Sequence, residues 1–254
     1  MKTPYEIWNG NGASPVVIVC EHARHFIPAK YSNLGLDDAA AVSHAAWDPG
    51  ALAVTQRMAD NMDAVAVTGT ISRLVYDLNR PPSSPEAFRD KSERIDVPGN
   101  AGLSPDECAK RATQIYEPFS QAVSAQLAKN THPILITVHS FTPVFHGQPR
   151  DIEIGILHDS DTRLADAMIS MVTNHTQLKV ARNAPYGPED GVTHTLCKHA
   201  IPAGYPNVML EIRNDLIEET AQQIDIADTL TAWVKEAIEK TRVASGEPDE
   251  TTAQ

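Results

Sequence analysis

The chain has 254 residues, 42% of them hydrophobic and 21% charged, with a formal net charge of −12. That length suits one sizeable α/β domain or two small ones, and the composition is that of a soluble globular protein. The acidic balance argues against nucleic acid as a partner, and no apolar run approaches the roughly 18 residues of a membrane span.

The first residues, Met1-Lys2-Thr3-Pro4-Tyr5-Glu6, lack the apolar core of a signal peptide. Cys20, Cys108 and Cys197 are scattered and odd in number. They form no C-x-x-C pair, so neither a disulfide framework nor a zinc ribbon is indicated. A cytoplasmic location is the expectation. The sequence carries no signal for an oligomeric state.

Residues 1–14 read as an irregular lead-in with turn chemistry at Asn9-Gly10-Asn11-Gly12. A first strand runs from Pro15 to Cys20 and meets the polar loop Glu21-His22-Ala23-Arg24-His25. Asp37 is placed to cap a short helix over 38–46. Asp48-Pro49 has the pattern of an N-cap followed by proline at the first helical position. That helix would turn Leu52, Thr55, Met58, Ala59 and Met62 inward. Val65–Thr68 reads as a second strand and Leu74–Leu78 as a third, ending at Asn79-Arg80-Pro81-Pro82.

Residues 81–103 mix Pro81, Pro82, Pro85, Pro98, Gly99 and Gly102 with charge, the composition of a long loop that covers a site. Ser104-Pro105-Asp106-Glu107 is a capping-box pattern opening a helix to about Lys129. The apolar, β-branched run Ile134–Val138 reads as a strand buried on both faces, and it stops at His139-Ser140. Further strands are expected over 152–157 and 178–181, with a helix from Thr162 to about Asn174. Asn183–Thr193 is a second loop, and a short helix over 194–200 follows. Val208–Leu210 leads into Glu211-Ile212-Arg213, and a closing helix runs from Ile217 to about Val243. One domain over 1–243 is expected, with a polar, disordered tail over 244–254. Alternating strands and helices give an α/β fold of three layers, a mostly parallel central sheet with helices on both faces.

Three of these strands deliver His22, His139 and Glu211 to one edge of the sheet. In an open α/β sheet, ligands sit outside the carboxyl ends of the strands. Two imidazoles there suit one divalent metal, most naturally zinc. The third ligand is open among Asp48, His44, His25 and Glu21; His44 and Asp48 would share a helical face at their i, i+4 spacing. Glu211 is the candidate general base, with an ion pair to Arg213 as the competing reading. Arg73, Asn79 and Arg80 bracket the third strand, where guanidinium groups suit a substrate carboxylate or an oxyanion. Asp77 wants a partner and has these arginines at hand. Cys20 reads as a core thiol, and Ser140 lacks the G-x-S-x-G elbow of a serine hydrolase. No nucleotide-binding motif is present.

These segments resemble the N-formylglutamate amidohydrolase family and, more distantly, the zinc carboxypeptidases. The resemblance runs from about Val16 to Ile224. It is carried by Cys20-Glu21-His22-Ala23, the stretch His44–Ala51 with its Trp47-Asp48-Pro49-Gly50, Ser72–Arg80, Val138-His139-Ser140 and Leu210–Asp215. It implies a phosphorylase/hydrolase-like fold, with a metal held by His22, Asp48 and His139 and with Glu211 as catalytic glutamate. It further implies Arg80 as the oxyanion-stabilising residue, with Asn79, Arg73, Arg213 and Ser140 around the substrate. Carboxypeptidases carry His-x-x-Glu at the first site, whereas this chain has His22-Ala23-Arg24-His25; Asp48 is taken as the third ligand because the amidohydrolase motif it resembles places an Asp there. The activity implied is metal-dependent hydrolysis of the amide in a small acidic N-acyl amino acid, typified by N-formyl-L-glutamate, in amino-acid metabolism. The alternatives are a carboxypeptidase-like enzyme or other deacylase on the same scaffold, or a non-catalytic metabolite-binding protein.

Overall fold

The computed structural model describes residues 3–245. Its frame is a seven-stranded sheet of β1 (Tyr5–Trp8), β2 (Val16–Cys20), β3 (Val65–Gly69), β4 (Ile134–Phe141), β5 (Ile154–Leu157), β6 (Val180–Arg182) and β7 (Asn207–Arg213). The spatial order is β1-β3-β2-β4-β7-β5-β6. Pairings β3–β2, β2–β4, β4–β7 and β5–β6 are parallel, while β1–β3 and β7–β5 are antiparallel.

The central strands are apolar without alternation because each face meets its own helices. Val16, Ile18, Cys20, Ile136, Val138, Val208 and Leu210 pack on one side. There they meet α1 (Ala51–Met62), α3 (Arg163–Ile169) and α5 (Thr220–Ser245). Val17, Val19, Leu135 and Met209 pack on the other, against Ile115, Phe119 and Val123 of the long helix α2 (residues 105–127) and Leu196 of α4 (His194–His199). This is the three-layer arrangement the periodicity predicts. The capping box at Ser104 forms as expected, with Ser104 Oγ accepting from Glu107 N and Glu107 reaching back to Ser104 N. A π turn at Ala112–Tyr116 interrupts α2.

Several expectations are corrected. Residues 5–8 are not an irregular lead-in but an edge strand, joined antiparallel to β3. The helix after Asp37 is capped by that residue as expected but ends at Ala41. The helix from Thr162 breaks after Ile169 and resumes only over Val172–His175. Residues 244 and 245 continue α5, and the remainder of the tail expected to be disordered lies outside the described residues.

The third strand, Leu74–Leu78, does not exist. The segment is a buried chain of turns: Val75 N donates to Ser72 O, and Arg80 N donates to Asp77 O. Its carbonyls find partners off the sheet, Leu74 O accepting from Asn100 Nδ2 and Val75 O from Arg111 Nη1. Burial without a ladder is tolerated because these side chains satisfy the backbone.

Asp48 is likewise not the N-cap of α1. Gly50 holds that place, at φ 80°. A Cβ there would stand 2.5 Å from Ile217 O, so position 50 needs both the left-handed backbone and the missing side chain. Asp48 N donates to His22 O, which ties the residue to the end of β2 and frees its carboxylate for other work.

Candidate active site

The carboxyl ends of β2, β4 and β7 open into a cavity of about 330 Å³. His139 and Glu211 share its wall for a reason visible in the ladder. They are register partners on neighbouring parallel strands, so their side chains leave the sheet on the same face. On the other side of β7, Glu211 pairs with Gly155, where a Cβ would lie 3.1 Å from Glu211 Cβ and 2.2 Å from Ala184 O. The missing side chain gives the glutamate room. His22 stands two residues past the end of β2, in a buried turn. His139 lies deeper than a run-end at a solvent edge would, since β4 continues past it to Phe141.

His22 Nδ1 lies 3.3 Å and His139 Nδ1 2.9 Å from the same oxygen, Asp48 Oδ2. The two rings meet edge to face at 4.9 Å. Behind them stand two more buried carboxylates. Asp77 Oδ1 is 2.7 Å from His22 Nε2. Glu21 Oε2 is 3.1 Å from His139 Nε2, within ion-pair reach but off the line of a hydrogen bond. Arg73 bridges the cluster, Nη1 donating to Asp48 and Nη2 to Asp77.

Burial opposes charge on Asp48, Asp77, Glu21, His139 and Arg73, and the ion pairs overcome it. His22, His139 and Arg73 hold Asp48 well below the usual carboxylate range. His22 and Arg73 do the same for Asp77, and His139 for Glu21. His139 in turn is held well above the usual imidazole range by Glu21 and Asp48. Glu211 goes the other way. Burial, reinforced by Asp48, raises it to about 7 against the pull of His139 and Arg73. Its Oε2 has no hydrogen-bond partner.

His22, Asp48 and His139 each offer a donor atom, all within 4.8 Å of one another. The donor set fits a divalent metal on chemical grounds. Two imidazole nitrogens and one carboxylate oxygen are a zinc-type set. Asp77 fixes the ring of His22 from behind, as carboxylates do for metal-binding histidines. The buried acids Glu21, Asp48 and Asp77 also place more negative charge here than Arg73 alone offsets.

The other candidate ligands do not join this triad, although Glu21 stands behind His139 and His44 lines the cavity. His44 lies outside the short helix at 38–41, so it shares no helical face with Asp48, and its Nε2 pairs with Glu93 at 3.0 Å. His25 packs on the edge of Trp47. Cys20 is the buried core thiol expected, its pKa pushed up by burial.

Among the substrate residues, Arg73, Asn79, Arg80 and Ser140 line the cavity. Asn79 and Arg80 also pin the second loop. Asn79 holds Val192 O and Thr195, and Arg80 donates to the carbonyls of Asp190 and Gly191, leaving its buried Nε unpartnered. Ser140 Oγ donates to Pro49 O and its amide to Asp48 Oδ2. Arg213 is not in the cavity wall. Asp215 and Glu153 take its guanidinium, which also donates to Arg150 O, so the ion pair with Glu211 that was the competing reading of that residue does not form. Tyr186, also in the wall, carries no signal beyond its place in the second loop, and Arg89 and Glu93 carry none beyond theirs in a loop composed like a cover.

The N-formylglutamate amidohydrolase family pattern matches residues 14–218. The chain belongs to the N-formylglutamate amidohydrolase family. Among solved structures, this family member is similar to a gene product from Agrobacterium tumefaciens, with 48% identity over 94% of this chain and 96% of that one and a TM-score of 0.91. It also shares its fold with an N-formylglutamate amidohydrolase from Ralstonia eutropha JMP134, at 16% identity over 95% of this chain and 99% of that one, TM-score 0.65. A comparison with curated proteins found no match. Family membership makes the protein an amidohydrolase, and the cavity just described is the place in the fold suited to that chemistry.

Proposed function

We propose that the protein is a metal-dependent amidohydrolase that cleaves the amide of a small acidic N-acyl amino acid, with N-formyl-L-glutamate as the type substrate. The observation that carries this reading is the convergence of His22, Asp48 and His139 beside an unpartnered Glu211. The three ligands would hold one divalent cation, zinc by donor type. Bound there, the cation supplies Lewis acidity, polarising a carbonyl and lowering the pKa of water towards ~7.

The chain's own residues do the rest. Glu211, raised to about 7, accepts a proton near neutral pH and returns it to the leaving amine. Arg80 directs its free Nε–H to the developing oxyanion. Arg73 and Ser140 border the substrate, and Asn79 keeps the loop at 190–195 in place. A cavity of about 330 Å³ sits at the small end of ligand pockets, which favours an amino-acid derivative over a peptide chain. A cytoplasmic setting belongs to this reading, supported by three cysteines that form no disulfide.

The test is a panel of N-acyl amino acids assayed for amine release with and without added zinc. Wild type is expected to require the metal. Glu211→Gln should still bind zinc but turn over at least ~100-fold more slowly. Full turnover by that variant would remove Glu211 from the mechanism.

A further inference from the structure

The acidic substrate class raises a question the residues above leave open: which group reads the second carboxylate. Three guanidinium groups line the cavity, those of Arg73, Arg80 and Arg89. Arg73 has both Nη atoms on Asp48 and Asp77. Arg80 has both Nη atoms on backbone carbonyls. Arg89 differs from both in what holds its Nη atoms. Its Nε, like that of Arg80, is buried and without a partner. Its ion-pair partner is Glu86, whose side chain is 52% exposed. An exposed pair of that kind exchanges at little cost.

The backbone beneath Arg89 is fixed. Arg89 O accepts from Asn100 Nδ2 at 2.7 Å, and Asn100 is itself buried and bonded to Arg111. Two residues earlier, Ala87 O accepts from Asp77 N, which joins this loop to the carboxylate behind His22. Arg89 thus reaches into the cavity from a rigid base. It also stands close enough to Arg80 to oppose that residue's charge, while Asp77 and Glu86 offset it, and no carboxylate is hydrogen-bonded to Arg80. A substrate carboxylate that replaces Glu86 on Arg89 would meet a planar fork with a second guanidinium nearby, which suits it.

We propose that Arg89 binds the side-chain carboxylate of the substrate and makes the cavity selective for N-acyl derivatives of acidic over neutral amino acids. This rests on the amidohydrolase reading above and assigns its specificity to one residue of the covering loop.

Arg89→Met and Arg89→Lys are compared with wild type on N-formyl-L-glutamate and on its neutral isostere N-formyl-L-glutamine. Arg89→Met is expected to raise KM for the acidic substrate at least ~10-fold while leaving kcat, and both constants for the neutral one, within about twofold. Arg89→Lys should recover part of the loss. Equal effects on both substrates, or none on either, would overturn the assignment. Calorimetric binding of glutarate and glutaramate to the same proteins separates this proposal from the reaction itself. If no N-acyl amino acid is turned over, the hydrolytic reading fails, yet a preference for glutarate that Arg89→Met abolishes still upholds the role of Arg89. A wild type that shows no preference for glutarate overturns it.

Discussion

Glu211 is buried beside acids that stay ionised, and its own pKa of about 7 is the consequence. An acid whose folded pKa exceeds its reference of 4.5 holds an extra proton when folded across that interval, so its contribution to stability falls as pH rises from 4.5 to 7 and stays low above. The loss is roughly 3 kcal/mol. In metal-free protein, Glu211→Gln should match wild type near pH 4.5 and become more stable by about that amount at pH 8, read from urea midpoints. A gap that does not widen with pH would deny that burial sets this group. Asp77 acts at the same scale by a different route. Asp77→Asn keeps the shape but loses the anionic anchor on His22 Nε2, and zinc affinity should fall ~10- to 100-fold in a chelator competition. An unchanged affinity would mean that His22 needs no anchor. The sequence made His22, His139 and Glu211 visible as polar residues at the ends of apolar runs, and singled out Asp48 only through the resemblance of the stretch His44–Ala51 to the family's motif. It could not show that Asp77 and Glu21 stand behind the imidazoles, because that depends on a turn and on strand twist.

At the scale of elements, the segment 74–80 shows where periodicity misleads. Leu74, Val75, Tyr76 and Leu78 are as buried as any strand of the sheet, and burial is all that an apolar run reveals. Whether the backbone is satisfied by a ladder or by Asn100 and Arg111 depends on a loop and a helix distant in sequence. Capping boxes and continuous β-branched runs are local, so α2, β2 and β4 were legible. The edge strand β1 was not, since four residues with three exposed side chains carry no hydrophobic pattern. Arg111→Met should therefore act on the site from a distance. It strips partners from Val75 O and Asn100 Oδ1, at about 1–3 kcal/mol for each group left buried and unpaired. We expect a lowered denaturation midpoint and a weakened hold on Asp77. A variant as stable as wild type would show that water replaces the guanidinium.

For the whole molecule, strands β2 to β7 of the sheet all lie within the residues, 14–218, that match the family pattern. No helix of the described residues is long and apolar enough to cross a membrane. A cation bound by the folded state alone stabilises it by about 4 kcal/mol at a thousandfold excess over Kd. For a chain of this size that is roughly 10 °C in Tm. Chelation of the zinc-loaded protein should lower Tm by about that much, whereas His139→Ala should show no response to zinc. A chelator-insensitive wild type would leave the three ligands without a metal to hold.

The parallel alignment of β2, β4 and β7 has a consequence for how the enzyme comes into being. Residues 22, 48, 139 and 211 meet only when segments far apart in the chain have closed on one another, an ordering that loop entropy makes slow. A growing polypeptide still lacking β7 has ligands but no base. A cation held as proposed would reward only the closed sheet, so its uptake would follow the docking of β4 beside β2.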